Sequence, residues 1–184
     1  MQRTRFMRPA WLVGIIVAGV ATVIGFGISP AHAAIRVEGH FTFIENQAHP
    51  DLSRLYFVVQ RTDLSPPRTL LNANWRAGSG DGDTNECHKD HGWLPKGTYD
   101  VFAWNNHQGV ITGHAFQLSD KVCSNGRTPR TALFIHTSHP WTSDKRYHSE
   151  GCIKLNNNDI NTAYYDFTRY FAINKWYGGM LTVQ

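Results

Sequence analysis

The chain alternates short apolar runs with polar turns over most of its length. Beyond residue 33, aromatic and β-branched residues supply most apolar positions, and Gly, Pro, Asn and Asp bound the runs. This pattern is typical of β-strands joined by turns. Strands are predicted at 41–44, 55–59, 98–104, 110–118, 132–135 and 180–183.

One segment has helical periodicity instead. Between 158 and 171, apolar residues recur at spacings of three and four, which predicts an amphipathic helix that Asn157 or Asn158 caps. The stretch 77–85 is rich in Gly, Asp and Asn, and we expect an exposed loop there. The predicted fold class is mainly β with one or two helices (α+β).

The N-terminal segment has the features of an export signal. Arg3, Arg5 and Arg8 precede an apolar run at 11–28, and Ala31-His32-Ala33 suits signal peptidase. We therefore expect residues 1–33 to be a signal peptide and residues 34–184 to form one domain. The alternative is an uncleaved membrane anchor, since the apolar run approaches the length of a spanning helix.

The charge of the chain argues against nucleic acid as a partner. The formal net charge is +4, and the arginines of the N-terminal segment contribute much of it. The remaining residues contain no basic stripe of the kind that follows a phosphate backbone. We expect no nucleic-acid partner, and contact with a membrane only through an uncleaved signal segment.

The three cysteines are an odd number for an exported protein. Cys87 and Cys123 lie in polar, turn-like surroundings, whereas Cys152 follows a glycine. Because an oxidising compartment tends to pair thiols, we expect a Cys87–Cys123 disulfide and a free Cys152. A different pairing, or none, remains open because sequence does not fix connectivity.

Cys152 has the local features of a nucleophile. Gly151 allows a tight backbone turn before it, and His136 follows the apolar run 132–135. A histidinium or a helix N-terminus near the thiol would raise its thiolate fraction, and the amides of Gly151 and Cys152 would stabilise an oxyanion. The alternative is that Cys152 is a small buried hydrophobe beside Ile153.

These residues resemble the signature of the L,D-transpeptidase (YkuD-type) family. The matching positions are His136, Ser149, Gly151, Cys152, Ile153 and Lys154, and the segment 94–99 is similar to the family's Pro-x-Gly-x-Tyr turn. The resemblance implies a β-rich, sandwich or mixed-sheet domain in which Cys152 and His136 face each other across a cleft.

The resemblance also implies a reaction and its participants. Cys152 would form a thioester with a peptidoglycan stem peptide, release the terminal D-residue and pass the acyl group to an amine. His136 would act as the base, and Ser149 and Gly151 would belong to the catalytic group. Lys154, Thr137 and Glu150 would bind the substrate. No metal or organic cofactor is needed. The expected protein is a monomer that is secreted, periplasmic or associated with the cell wall.

Two departures from the family pattern leave alternatives open. Glu150 stands where the family has a histidine, and Lys154 stands where it has an arginine that binds in a bidentate manner. His139 and His148 compete with His136 for the role of base. An L,D-carboxypeptidase or endopeptidase of the same fold, or a wall-binding module without turnover, therefore remains possible.

Two further patterns are interpreted conservatively. His88 and His91 beside Cys87 suggest zinc, but their spacing matches no known ligand pattern, so exposed loop histidines are favoured. The tryptophans are expected in the core or in the wall of a cleft rather than in a sugar-binding platform; they include Trp75, Trp93, Trp104, Trp141 and Trp176.

Overall fold

The computed structural model describes residues 34–107, 109, 111–137 and 147–184. The expected signal peptide at 1–33, His139 and Trp141 lie outside these described residues. In the described part of the chain, no helix is long and apolar enough to cross a membrane.

Ten strands and one α-helix make up the described part of the chain. The strands are β1 Val37–Ile44, β2 Ser53–Arg61, β3 Arg68–Ala77, β4 Gly97–His107, β5 Gly113–Leu118, β6 Lys121–Val122, β7 Pro129–Arg130, β8 Phe134–His136, β9 Ile153–Lys154 and β10 Trp176–Val183. The helix α1 is Asn157–Thr168, and a 3-10 turn covers Pro50–Leu52.

Eight of the described strands form one mixed sheet. Their order is β3-β2-β1-β10-β4-β5-β8-β9, with parallel pairing between β1 and β10 and between β8 and β9. The sheet curls until its two edges meet. Gly78, directly after β3, exchanges backbone hydrogen bonds with Lys154 of β9 at 3.2 and 2.8 Å.

The core lies between the concave face of this sheet and α1. Alternate residues of each long strand point inward, so that Phe41, Phe57 and Phe116 meet Phe167 of the helix. Burying a large apolar side chain stabilises the fold by roughly 1.5–3 kcal/mol. The site residues described below occupy the region where the two edges of the sheet join.

The predicted fold class is confirmed, and the structure adds strands that the pattern did not reveal. β3 was not predicted, because its sequence mixes exposed polar and apolar residues without a clean alternation. The pairing of β8 with β9 was also not predicted, since a two-residue strand has no periodicity.

Three local predictions are corrected. The helix begins at Asn157 and ends at Thr168, and its cap is Asn156, whose side chain accepts a hydrogen bond from the amide of Asp159 at 2.8 Å. Asn157 and Asn158 are therefore not the cap. The stretch 77–85 is a loop from residue 78, but Ser79 and its neighbours at 77–80 are buried rather than exposed.

The tryptophans divide into two groups. Trp75 and Trp93 are buried, as expected. Trp104 is half-buried and Trp176 is 46% exposed, so neither belongs to the buried core, and a place in the wall of a cleft stays a prediction for both.

Glu45, just after β1, is a buried carboxylate that accepts no hydrogen bond from the described residues. Its side chain is 2% exposed, and the nearest cation is Lys96, whose Nζ lies 3.9 Å away. Burial raises the pKa of Glu45 to about 8, although the charge of Lys96 opposes the shift. Glu45 therefore binds its proton more tightly in the folded protein than in the unfolded chain.

The first prediction follows from this raised pKa. The stabilising effect of the protonated form is present below the unfolded pKa of Glu45 and is lost as pH rises through about 8. Between pH 5 and 9, the free energy of unfolding of the wild type should fall by on the order of 3 kcal/mol more than that of Glu45→Gln. Urea denaturation across this range measures both curves.

Glu38→Gln is the matched control for this prediction. Glu38 is on β1, the strand that Glu45 directly follows, but its side chain is 51% exposed and pairs with Arg36 at the surface. This variant should follow the wild-type curve. Parallel curves for the wild type and Glu45→Gln would show that Glu45 does not titrate in this range.

Candidate active site

The parallel pair of β8 and β9 brings the predicted nucleophile and base to one face. Ile135 pairs with Ile153, and His136 pairs with Lys154, with the amide of Leu155 donating to the His136 carbonyl at 2.9 Å. Ile135 and Ile153 are fully buried in the core. Since side chains alternate along a strand, His136 and Lys154 point to the opposite face.

Cys152 lies two residues before Lys154 and one residue before β9. This spacing assigns it to the same face as Lys154 and His136. The electrostatics agree, because the charge of Lys154 lowers the pKa of Cys152 and the pKa of His136. Lys154 is therefore close enough to act on both Cys152 and His136.

The imidazole of His136 has a fixed orientation. Its Nδ1 lies 2.8 Å from the carbonyl oxygen of Thr137, and a carbonyl can only accept, so Nδ1 carries the proton. Nε2 is then left as the basic nitrogen. The ring is 8% exposed. The carbonyl of Thr137 thus holds the tautomer that a general base would require.

Both groups are neutral in the free protein. Burial raises the pKa of the Cys152 thiol to about 11, against smaller opposing effects from a backbone hydrogen bond of Phe134 and from Lys154. Burial lowers the pKa of His136 to about 4. Burial thus favours the thiol form of Cys152 and the neutral imidazole of His136 in the free protein, and activation by a neighbouring histidinium stays a prediction.

The thiol sits between backbone groups of the segment that leads into β8. Its Sγ lies 3.7 Å from the carbonyl oxygen of Ala132, a weak hydrogen bond that the protonated thiol donates. Thr137, at the other end of β8, donates through its Oγ1 to the side chain of Asn157 in α1 at 2.9 Å. The helix is therefore attached to the chain directly after His136.

Ser149 organises the turn before the cysteine. Its Oγ donates to the carbonyl of Cys152 at 2.6 Å and accepts from the amides of Gly151 and Gly80, each at 3.1 Å. The amide of Gly151 was expected to stabilise an oxyanion, but Ser149 already engages it. Of the two amides that were expected to stabilise an oxyanion, the amide of Cys152 is the one that Ser149 does not engage.

Arg130 supports this turn, although no motif around it indicates this role. Its side chain is almost completely buried, and its guanidinium donates to the carbonyl oxygens of Glu86, Gly92, Trp93 and Glu150. These carbonyls come from two distant segments, so no local motif marks the arginine. Its charge also lowers the pKa of Cys152.

Gly151 is required by its backbone conformation and by its surroundings. Its φ is +116°, and a Cβ at this position would lie 2.0 Å from Nη2 of Arg130. Ser79 holds the same residue from the other side, because its Oγ donates to the Gly151 carbonyl at 3.2 Å and accepts from the amide of Leu94 at 2.9 Å. Ser79 was also not predicted from sequence.

The remaining predicted residues surround this centre. Glu150 is exposed, yet its charge raises the pKa of Cys152, so it disfavours the thiolate. His148 is exposed on the preceding turn. His107 at the end of β4 was not predicted, but its charge lowers the pKa of His136, which shows that it lies near the base.

The expected disulfide is present in the structure. Cys87 and Cys123 are bonded, with Cα atoms 5.3 Å apart, and Cys152 is the remaining thiol. The disulfide adjoins Glu86, one of the carbonyls that Arg130 binds. Because Cys87 is bonded to sulfur, it is not available as the third ligand of a zinc site. His88 pairs with Asp83 in the same loop.

The second prediction concerns Gly151. Gly151→Ala should lower the free energy of unfolding by at least about 2 kcal/mol, because the new methyl group displaces the guanidinium of Arg130 and leaves buried carbonyls without donors. Gly82→Ala is the control, since Gly82 has a similar φ of +110° but no atom within 4 Å of the added Cβ. Equal losses in urea denaturation would assign the effect to backbone strain alone.

The third prediction concerns the protonation of Cys152. With a pKa of about 11, the thiolate fraction should increase roughly tenfold per pH unit from pH 7 to 10, and the rate of alkylation by iodoacetamide should increase with it. Mass spectrometry of the intact protein measures this rate. A rate that is already constant above pH 6 would instead indicate a thiolate–imidazolium pair in the free protein.

Comparisons with known proteins identify the fold. No protein-family model matches the chain, and no curated protein matches its sequence. Among solved structures, it is similar to the helical cell shape determining protein Pgp2 from Campylobacter jejuni, with a TM-score of 0.50 and 13% identity over 80% of this chain. An L,D-transpeptidase from Mycobacterium smegmatis matches with a TM-score of 0.37 and 15% identity over 79% of this chain.

The structural similarity covers only part of each of these solved structures. The chain covers 48% of Pgp2 and 59% of the mycobacterial protein, so it spans about half the length of the solved structures it matches. The architecture shared with Pgp2, a curled mixed sheet with a helix against it, is therefore the conclusion that the comparisons support.

Proposed function

We propose that residues 34–184 form an exported, cysteine-dependent enzyme that acts on peptidoglycan stem peptides as an L,D-transpeptidase. The observation that carries the proposal is the pairing of β8 with β9, which presents Cys152 and an oriented His136 on one face. The resemblance of the motif around Cys152 supports the same reaction, and the Cys87–Cys123 disulfide supports an oxidising location outside the cytoplasm.

The neutral pair suits a general-base mechanism. As Sγ of Cys152 bonds to the carbonyl carbon of the donor peptide, Nε2 of His136 takes the thiol proton. The amide of Cys152 faces the developing oxyanion. When the carbon–nitrogen bond breaks, the imidazolium returns its proton to the departing amine of the terminal D-residue, and a thioester remains.

The second half of the reaction uses the same groups in reverse order. An amine from a second stem peptide attacks the thioester carbonyl, and His136 takes a proton from that amine and returns it to the sulfur as the new amide forms. Water in place of the amine gives hydrolysis. The ammonium group of Lys154 on the same face is suited to hold a substrate carboxylate as a point charge.

A wall-binding module without turnover is the second candidate. The observation that favours it is the raised pKa of Cys152, to which the charge of Glu150 contributes. Unless His136 takes its proton, such a thiol binds a peptide without attacking it. The two candidates differ in whether a covalent intermediate forms.

The fourth prediction tests the proposed chemistry. The exported protein, incubated with a disaccharide tetrapeptide ending in D-alanine, should release D-alanine and, with an amine acceptor, form a cross-linked product. Cys152→Ala should lower the rate by at least about a thousandfold, because no other group can form the thioester. Mass spectrometry detects the thioester, the hydrolysis product and the dimer separately.

Two histidine variants test the assignment of the base. His136→Gln should lower the rate by about 100-fold or more, whereas His148→Gln should retain it, because His148 is exposed. Retention of activity in His136→Gln would contradict the proposed role. Binding of the peptide by well-folded wild type without any product would favour the wall-binding module.

A further inference from the structure

A continuous row of five aromatic rings crosses the outer face of the sheet and ends at the candidate active site. The rings belong to Trp176, Phe102, Trp104, His107 and Phe134, in that order. Successive ring centroids are 5.3, 4.9, 5.4 and 5.2 Å apart. We refer to these five residues as the aromatic row.

The row lies on the face opposite the core. In β4, Val101 and Ala103 are fully buried in the core, and Phe102 and Trp104 alternate with them. α1 packs on the core side, where Phe167 belongs to the same buried cluster. The aromatic row therefore belongs to the convex surface, the same face to which alternation assigns His136.

Strand pairing connects the aromatic row to the strands next to Cys152. Trp176 of β10 pairs with Phe102 of β4, Phe102 pairs with Gln117 of β5, and Gln117 pairs with Phe134 of β8. Three strand spacings correspond to roughly 14 Å. The next strand is β9, and a backbone hydrogen bond of Phe134 acts on Cys152 itself.

Exposure decreases along the row towards the site. Trp176 is 46% exposed, Phe102 and Trp104 are half-buried, and Phe134 is buried. At the inner end, the ring of His107 lies against Phe134, and its charge acts on His136. The row is therefore open at the Trp176 end and buried at the Phe134 end, where it meets the candidate site.

The chemistry of the row favours an uncharged ligand with flat apolar faces and hydroxyl groups. The four residues that pair across these strands carry no fixed charge: Trp176, Phe102, Gln117 and Phe134. Gln117 accepts through Oε1 from Nε1 of Trp104 at 3.1 Å, which leaves its amide nitrogen to donate to a ligand. Pyranose rings have such faces and such acceptors.

Other partners fit the row less well. A nucleic acid requires lysine and arginine contacts to its phosphates, and a membrane-surface site carries basic residues around its apolar face. The register that joins the four strands provides neither. The paired aromatic residues and the amide of Gln117 therefore match a neutral glycan better than a polyanion or an anionic bilayer.

We propose that the aromatic row is a glycan-binding track, on which the N-acetylhexosamine rings of the substrate stack while an attached peptide reaches Cys152. The orientation of the glycan, with its peptide towards Cys152, rests on the proposed function. The binding of sugar to the aromatic row does not. The ligand class is an uncharged N-acetylated oligosaccharide. Trp176 and Phe102 supply the outer stacking surfaces, and Trp104 and Gln117 supply the next position inward.

The fifth prediction tests this track in a protein that cannot react. The full chain with Cys152→Ala is titrated with N-acetylglucosamine oligomers by calorimetry. Adding Trp176→Ala or Phe102→Ala should weaken binding by about five- to tenfold each, since each removes one stacking surface. Tyr165→Ala is the matched control, because Tyr165 is a 59% exposed aromatic residue on α1, away from the row; it should leave binding unchanged.

The outcomes separate the track from the proposed reaction. No binding of the oligomers, or equal weakening by Tyr165→Ala, would overturn the track even if the wild type turns over peptides. Binding to phosphatidylglycerol vesicles that depends on Trp176, without binding to the sugar, would also overturn it in favour of a membrane surface. Sugar binding that depends on the row, in a protein without turnover, would leave the track standing and refute only the reaction.

A kinetic comparison provides an independent readout. In the active protein, Trp176→Ala should raise KM for the disaccharide tetrapeptide about five- to tenfold while leaving KM for the free tetrapeptide unchanged. Equal changes for both substrates would assign Trp176 a structural role. Because Trp176 is exposed, the variant is expected to fold, and urea denaturation verifies this.

Discussion

The arrangement of the site depends on the closure of the curled sheet by Gly78 and Lys154. β9 contains only two residues, so its position is fixed by its two neighbours, β8 on one side and the end of β3 on the other. Gly78 is suited to this contact because a Cβ there would lie 2.4 Å from the carbonyl oxygen of Tyr147. Ser149 and Gly80 extend the same contact by two further hydrogen bonds. Cys152 is thus held by the joining of two strands that are far apart in sequence.

The parts of the fold that could be predicted are those with a strong local pattern. β1, β2, β4 and α1 have clear periodicity, because one face of each is buried and the other is not. β3 could not be recognised, since its inward and outward residues differ too little in polarity. The parallel pairing of β1 with β10 joins the two ends of the domain, and local propensity carries no information about such a contact.

The same distinction applies to the site. Cys152, His136 and Gly151 were predicted because each belongs to a short motif with a chemical reason for its residue types. Arg130 and Ser79 were missed because they act by bonding to backbone groups that any residue possesses. The protonation states of Cys152 and His136 could not be predicted from the sequence either. The largest cause of each pKa shift is burial, which the identity of the neighbouring residues does not reveal. The aromatic row required the strand register before its separate rings formed one surface.

The raised pKa of Cys152 has a consequence for the survival of the protein in the compartment that its disulfide favours. Oxidants and disulfides react with thiolates far faster than with thiols. An exposed, acidic cysteine would therefore exchange with the Cys87–Cys123 bond or become oxidised during export. A thiol that remains protonated until substrate arrives is protected from both reactions. In the exported enzyme that we propose, burial would thus also preserve Cys152 as the one free thiol in an oxidising environment.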